Sequence, residues 1–224
     1  MVAHEPPEQS GAPDPEEQQL IERLRQGDQQ AFMTLVERYQ GALVRLAMAF
    51  VGDRAAAEDV AQEAWLGLLR GLPNFEGRSS LRTWLFRILT NRAKTRGTRD
   101  GRLVPFADLG FNEPGEEEAA EPLDRFFATG GPQAGHWASN VPSWDELPEE
   151  RLLAHETREV IDAAIAELPP NQRAVITLRD IEGYPSQEIC NILGITETNL
   201  RVLLHRARAR VRRALESYLA PEEA

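Results

Sequence analysis

The sequence predicts an all-α protein of two small helical domains joined by a long acidic linker. Apolar residues recur at gaps of three and four in two separate stretches, which is the spacing of one helix face. Between residues 100 and 150 this spacing is lost and Gly and Pro are frequent. Twelve acidic groups there stand against two basic ones. Such a composition is typical of a linker.

These shifts in composition predict the domain boundaries. We expect a disordered acidic N-terminal tail over 1–15, a helical domain over 16–99, a flexible acidic linker over 100–150, a helical domain over 151–219 and a tail over 220–224. Six aromatic residues punctuate the linker. They favour docking of the linker, either on the chain's own domains or on a partner.

The overall composition excludes several classes of protein. The 224 residues carry a net charge of −11 and a single cysteine, which excludes an intrachain disulfide and a Cys-based zinc finger. No apolar run approaches the ~20 residues that span a bilayer, and residues 1–14 lack the pattern of a signal peptide. We expect a cytoplasmic protein without membrane insertion.

Three helices of the first domain are marked by local signals at their ends. The expected caps are Asp28, Asp53 and either Ser79 or Ser80, and the expected ends are Gly52 and Gly71 with Pro73. The third helix should bury Leu81, Trp84, Leu85, Ile88 and Leu89. Trp84 is ambiguous, but its inward phase favours the core.

The second domain predicts a helix-turn-helix. A stripe of Val160, Ile161, Ala164, Ile165 and Leu168 comes first, and a second helix runs to Gly183. Ser186 should then cap a short helix over 187–193, Gly194 should turn the chain, and Thr196 should cap a long helix. The long helix should turn Leu200, Leu203, Leu204, Val211 and Leu215 inward. Cys190 falls on the inner side of the short helix, as a packed residue or as a redox sensor.

The positive charge is concentrated in two windows. Residues 78–99 hold seven basic groups and residues 199–213 hold six, with no acidic group in either. Two basic surfaces on either side of an acidic spacer are consistent with a two-point nucleic-acid contact. The alternative is that both are merely solvated helix faces.

The second helix of a helix-turn-helix reads base edges in the major groove with its N-terminal residues. Seven residues should face outward there: Glu197, Thr198, Asn199, Arg201, Val202, His205 and Arg206. Arg can pair with guanine, Asn with adenine and Glu with cytosine. The arginines from Arg208 onward are better placed for phosphates.

No catalytic motif is present in the sequence. It contains no phosphate-binding loop, no HExxH and no GxSxG. Its four histidines and one cysteine do not have metal-ligand spacing. We therefore expect no enzyme activity, no metal, no cofactor and no small-molecule substrate.

Two distant segments resemble one family. The stretch AAAEDVAQEAWLGLLRGLPNFEGRSSLRTWLFRILTNRAK (55–94) resembles region 2 of bacterial sigma factors. The stretch LPPNQRAVITLRDIEGYPSQEICNILGITETNLRVLLHRARARVRRAL (168–215) resembles region 4. Nothing between them resembles region 1.1 or region 3. This architecture is that of an extracytoplasmic-function (ECF, group 4) sigma factor of the sigma-70 family, with region 2 over 16–99 and region 4 over 151–219.

The resemblance implies a role for each site. Binding of core RNA polymerase, at the β′ coiled coil, falls on Glu58, Asp59, Gln62 and Glu63. Capture of the −10 element falls on the loop residues Asn74, Phe75, Arg78, Ser79 and Ser80 and on the helix residues Thr83, Arg87, Asn91 and Lys94. Recognition of the −35 element falls on Glu197, Thr198, Asn199, Arg201, Val202, His205, Arg206 and Arg208. Val202 and Leu203 depart from many relatives, which carry a small polar residue and a base there.

The implied function is that of an alternative sigma factor, which binds core polymerase and directs initiation at specific promoters. The implied partners are core RNA polymerase, through its β′ coiled coil and β subunit, promoter DNA and an anti-sigma factor. The linker either threads the polymerase cleft or covers the chain's own basic surfaces. The alternative function is that of a conventional helix-turn-helix regulator that acts without being a polymerase subunit.

Overall fold

The computed structural model describes residues 15–99 and 155–219, and for residues 155 and 156 the backbone alone. Throughout these two ranges the regular structure is helical, with no strand. The chain divides into two compact units, the first built mainly from the helices before residue 102 and the second mainly from those after residue 103. The expected linker and most of both expected tails lie outside the described residues.

Four α-helices form the first unit. They are α1 (Pro15–Arg25), α2 (Gln29–Ala47), α3 (Arg54–Gly71) and α4 (Leu81–Arg99), and a short 3₁₀ turn, Leu72–Asn74, follows α3. Helix α1 is an addition to the three helices expected from the sequence. It buries only two apolar side chains, Ile21 and Leu24, so it has no long stripe that periodicity could detect.

The expected caps of the first unit are confirmed. The Asp28 carboxylate accepts from the N–H groups of Gln30 and Ala31 at 2.9 and 3.1 Å, and Asp53 accepts from Ala56. Of the two serines considered for α4, Ser80 is the cap, since its hydroxyl oxygen accepts from the Thr83 N–H. Gly71 ends α3 as expected.

The end of α2 differs from the expectation. The helix ends at Ala47 rather than at Gly52, because tighter hydrogen bonds, such as Phe50 N–H to the Ala47 carbonyl, replace the helical ladder. Ala49, Phe50 and Val51, which lie between these points, are still buried. The chain therefore stays in the core past the end of the helix.

Helices α3 and α4 pack closely through a glycine of α3. A β-carbon added to Gly67 would lie 2.9 Å from Cγ2 of Ile88 on α4, closer than carbon atoms can approach. The core around this contact includes the fully buried Leu68, Leu85, Phe86 and Leu89. Phe86 was not expected inside, whereas Ile88 is only partly buried.

The second unit contains α5 (His155–Glu167), α6 (Pro170–Ile176), α7 (Ser186–Leu193) and α8 (Glu197–Leu219), and α6 continues as a π-helical turn, Thr177–Ile181. Its core joins Leu168 and Ile176 to Ala207, Val211 and Leu215 of α8. The predicted stripe of α5 packs on this cluster: Val160, Ile161, Ala164 and Ile165.

The helix-turn-helix has the predicted order of elements. Gly194 turns the chain with a positive φ of 70°, which a residue with a side chain rarely adopts. Thr196 caps α8, since its hydroxyl accepts from the Asn199 N–H at 3.2 Å. Ser186 does not cap α7 as expected, because the helix begins at that residue and the Pro185 carbonyl accepts from Ile189.

Gly67→Ala tests the close packing of α3 on α4, with Gly41→Ala as its control. Alanine gains about 1 kcal/mol of helix propensity over glycine in a helix interior. At Gly41 the new methyl meets the mobile end of Arg45 at 3.3 Å, so we expect a higher free energy of unfolding. At Gly67 the new methyl meets Ile88. Overpacking of this kind costs about 1–3 kcal/mol, so we expect Gly67→Ala to have a lower free energy of unfolding than the parent.

Urea denaturation followed by circular dichroism measures both values. An equal gain in the two variants would show that α3 and α4 can separate freely.

Candidate nucleic-acid interfaces

A loop between α3 and α4, residues 72–80, is anchored by aromatic stacking. The rings of Phe75 and Trp84 are stacked with their centroids 4.7 Å apart and their planes at 30°. A β-carbon on Gly71 would lie 2.8 Å from the Trp84 ring. The absence of a side chain at Gly71 therefore leaves the space that the indole occupies. Phe75 is only 9 % exposed. Its expected place in an open pocket is therefore wrong, because the ring belongs to the core.

The tip of this loop is open to solvent. Asn74, Glu76 and Arg78 are exposed, and Ser79 is partly exposed. The guanidinium of Arg78 pairs with the Glu76 carboxylate across Gly77, whose φ is 68°. The loop thus presents polar side chains at its tip while its base is fixed to the core.

The first turn of α4 combines with this loop. The hydroxyls of Ser80 and Thr83 are hydrogen-bonded at 2.8 Å, and Thr83 is only 4 % exposed. Thr83, expected as a DNA contact, is therefore part of the cap. Arg87 and Asn91 are exposed one and two turns further on, and Lys94 follows on the same helix. The exposed tip of the loop leads into this polar row.

The predicted polymerase-binding residues share one face of α3. Asp59, Gln62 and Glu63 are exposed and Glu58 is partly so. Asp59 pairs with Arg96 of α4 at 3.4 Å, and Glu63 pairs with Arg92 at 3.1 Å. Exposed ion pairs of this kind contribute about 0–1 kcal/mol each, so another cation can displace either arginine.

Two apolar residues extend this acidic face and were missed from the sequence. Leu66 is 50 % exposed and Leu69 is 41 % exposed. Leu66 lies seven residues after Asp59 and four after Gln62, which places all three on one stripe of the helix. That spacing could have identified it. A surface that combines carboxylates with exposed leucines is typical of a protein-binding site.

A groove of about 750 Å³ runs between α3 and α4. Arg92, Arg96 and Arg99 line it together with Asn91, and Glu63 closes the α3 side. Three guanidinium groups around an open polar groove favour an anion such as a phosphate. The groove lies beside the exposed row of α4.

The N-terminal part of α8 presents most of the predicted base-reading residues. Glu197 and Thr198 are exposed, and Asn199, Arg201, Val202 and Arg206 are partly exposed. His205 was expected to face outward but is only 5 % exposed. That expectation is wrong, because buried residues lie on a wider arc of α8 than the leucine stripe indicated, with Ala209 one turn beyond His205 also buried.

Arg208 forms an ion pair within the second unit. Its guanidinium donates two hydrogen bonds to the Asp180 carboxylate, at 2.9 and 2.6 Å. These bonds raise the pKa of Arg208 above its ordinary value. Arg210 similarly donates to the Gln172 side chain. Part of the basic window thus fixes α8 to α6 and the π-helical turn.

Other kinds of site are not found in the parts of the chain that the structure describes. Across 15–99 and 155–219, His, Cys, Asp and Glu side chains form no group that could hold a metal ion. Among the helices of those ranges, none is both long enough and apolar enough to cross a bilayer. Cys190 is buried, as its helical phase predicted.

Two family models match the chain, one in each unit. The model of Sigma-70 region 2 matches residues 35–103, and that of Sigma-70 region 4 matches residues 158–211. The first match covers the loop between α3 and α4 and all of α4. The second covers the helix-turn-helix.

Curated relatives match over nearly their whole length. The RNA polymerase sigma-H factor of Pseudomonas aeruginosa is 34% identical over 204 residues, 91% of this chain and 96% of the relative. The ECF RNA polymerase sigma-E factor of Escherichia coli is 34% identical over 194 residues, 86% of this chain and 90% of the relative.

Solved structures share the fold. CnrH in complex with the cytosolic domain of CnrY aligns with a TM-score of 0.54 at 23% identity, over 90% of this chain and 97% of CnrH. The sigma factor RpoE of Bartonella quintana, in complex with the anti-sigma factor NepR, aligns with a TM-score of 0.52 at 21% identity. The alignment covers 83% of this chain and 96% of RpoE.

The pair Asp180–Arg208 yields a prediction about stability. Both side chains are about one third exposed, and a two-point charged contact is stronger than a single one. We expect Asp180→Asn and Arg208→Ala to be non-additive in the free energy of unfolding, with a coupling of about 1 kcal/mol. A double-mutant cycle in urea measures the coupling.

The control cycle is Glu197→Gln with Arg201→Ala, a pair that is 3.9 Å long and whose glutamate is well exposed. Its coupling should not exceed about 0.5 kcal/mol. Equal couplings in the two cycles would mean that the contact of Arg208 does not hold α8 in place.

Proposed function

The chain belongs to the sigma-70 family as an alternative, extracytoplasmic-function sigma factor that directs transcription initiation, and we propose how its two units share that task. The first unit binds core RNA polymerase through α3 and captures the −10 element with the 72–80 loop and α4. The second unit places the N-terminal part of α8 in the major groove of the −35 element. Promoter DNA and core polymerase are the partners.

One observation carries the proposal for the first unit. The 72–80 loop has a base fixed by the Phe75–Trp84 stack and a tip with Asn74 and Arg78 exposed. A base extruded from a duplex needs a rigid edge with hydrogen-bonding groups, and its strand needs cations along the backbone. The tip of the loop supplies the hydrogen-bonding edge, and the arginines of α4 supply the cations.

Three of the expected −10 residues have different parts in this proposal. Phe75 and Thr83 are buried, and Ser80 caps α4, so these residues support the loop without reading the base. Reading falls to Asn74, Arg78 and Ser79. Arg87, Asn91 and Lys94 follow the displaced strand.

Binding of polymerase uses the exposed face of α3. Asp59, Gln62 and Glu63 meet basic groups of the β′ coiled coil, and Leu66 and Leu69 supply apolar contact. The ion pairs to Arg92 and Arg96 exchange when this happens, because the incoming cations compete for the same carboxylates. The two arginines then face the groove beside the −10 strand.

Reading of the −35 element falls on the exposed part of α8. Arg201 and Asn199 carry the groups that pair with guanine and adenine, and Glu197 can accept from cytosine. Arg206 is close enough along the helix to contact the backbone. His205 is buried and Arg208 is paired with Asp180, so we propose supporting parts for them.

An anti-sigma factor is a further proposed partner. The RpoE structure of similar fold is a complex with the anti-sigma factor NepR, which supports this proposal by likeness alone. The alternative, a conventional helix-turn-helix regulator, is not favoured, because the likeness to sigma factors covers the first unit as well as the second.

Asp59→Arg should weaken binding to core polymerase at least tenfold, because like charges placed opposite each other cost several kcal/mol. Fluorescently labelled protein titrated with core polymerase measures the affinity. Glu37→Arg makes the same change of charge at an exposed site on α2 and should leave the affinity unchanged. The double variant Asp59→Arg/Arg96→Asp restores the ion pair within the chain but should still bind weakly.

Recovery of full affinity in that double variant would trace the defect to the fold of the first unit and would remove α3 from the polymerase interface.

Arg201→Ala should relax selectivity at one −35 base pair by about 5- to 150-fold, since a bidentate arginine–guanine pair discriminates by about 1–3 kcal/mol. The test is run-off transcription with core polymerase on promoter fragments of the chain's own genome, with start sites sequenced. Arg158→Ala removes an exposed arginine from α5 and should change nothing. Binding of duplex DNA without any start site conferred would favour the conventional regulator.

A further inference from the structure

Helix α1 lies before the segment that matches Sigma-70 region 2, which begins at residue 35. It nevertheless contacts both ends of the 72–80 loop through two charged side chains, Glu17 and Arg25. These residues are eight positions apart, so they lie about two turns apart on the same side of the helix. Neither was indicated by the sequence, because their partners are 47 to 64 residues away.

Arg25 holds the start of the loop. Its guanidinium donates to the Phe75 carbonyl through Nη2 at 2.7 Å and to the Leu72 carbonyl through Nε at 3.3 Å. Leu72 also accepts from the Phe75 N–H within the 3₁₀ turn. One planar group therefore bridges two carbonyls at the point where the chain leaves α3 and enters the loop.

Glu17 holds the end of the loop. Its carboxylate accepts from the Leu81 N–H at 2.7 Å, which is the first residue of α4. The Ser80 hydroxyl accepts from another donor of the first turn, the Thr83 N–H. A carboxylate at the positive end of a helix is favourably placed, and here it comes from a distant element. The two ends of the loop are thus fixed to one helix.

The anchoring is confined to the ends of the loop. Between them, the side chains of Asn74, Glu76 and Arg78 are exposed, and the backbone of Gly77 adopts a positive φ. The polar tip therefore depends on the separation and orientation of its two ends. A change at either end would shift the tip relative to α4, which follows directly after Ser80.

We propose that Glu17 and Arg25 of α1 are positioning residues that set the geometry of the 72–80 loop and thereby the base selectivity at the −10 element. This inference rests on the proposed function of the loop. It assigns neither residue a contact with DNA. It assigns α1 a part in specificity, although α1 lies outside the matched region.

The test measures base selectivity with the whole chain bound to core polymerase. Templates carry one fixed −35 region and a pre-opened bubble in which the non-template −10 bases are randomised. Each template carries a transcribed barcode that identifies its −10 bases. The transcripts are sequenced, and selectivity is the ratio of the preferred base to the mean of the other three at each position. Because the bubble is already open, this ratio reports base reading separately from melting.

We expect Arg25→Ala to lower −10 selectivity about 5- to 10-fold, which corresponds to about 1–1.4 kcal/mol. Arg25→Lys should retain part of it, since one ammonium can reach one carbonyl but lacks the planar fork that bridges two. Glu17→Ala should lower selectivity as well. Glu17→Gln keeps an acceptor for the Leu81 N–H and should stay within about twofold of the parent.

Arg23→Ala is the matched control. It removes another arginine of α1, one that pairs with Asp28 at the surface, and it should leave −10 selectivity unchanged. In every variant, polymerase affinity and −35 selectivity should match the parent, which a general loss of structure would not allow.

Unchanged −10 selectivity in Arg25→Ala would overturn the inference, and so would a parallel fall in −35 selectivity or polymerase affinity. Arg78→Ala and Asn74→Ala separate this failure from failure of the proposed function. If those two variants keep full −10 selectivity, the loop does not read the base. If they lose it and Arg25→Ala does not, only the part assigned to α1 is wrong.

Discussion

The close approach of α3 to α4 is the constraint on which the first unit depends. Gly67 and Gly71 leave no room for a β-carbon, since Ile88 and Trp84 of α4 occupy that space. Trp84 in turn stacks on Phe75, which fixes the base of the 72–80 loop. The position of the exposed loop tip therefore depends on the close contact between the α3 backbone and the side chains of α4.

The same packing brings the two proposed functions of the first unit onto one pair of helices. Carboxylates on α3 and guanidinium groups on α4 face each other across the groove, in the pairs Asp59–Arg96 and Glu63–Arg92. Each pair is weak on its own. Under the proposed function, a partner that takes the carboxylates leaves the arginines to the nucleic acid, so we expect binding of polymerase and binding of DNA at this surface to favour each other.

Sequence reasoning succeeded where a structure depends on neighbours along the chain. The caps Asp28, Asp53 and Thr196 act on N–H groups two or three residues away, so the local sequence was enough. It failed at Phe75 and His205, whose burial depends on how elements pack. It also missed α1, which makes its two anchoring contacts with residues far along the chain.

Arginine shows why charge alone overstates an interface. The window 199–213 was predicted from its six arginines and its lack of acid, yet Arg208 and Arg210 donate to Asp180 and Gln172 within the unit. The acidic partner of Arg208 lies 28 residues earlier, outside any window that a local count would use. A guanidinium held by two hydrogen bonds gains little from exchanging them for a phosphate. We therefore propose that base reading by α8 concentrates in its first turns, around Arg201, while Arg208 and Arg210 tie the helix to the π-helical turn and to α6.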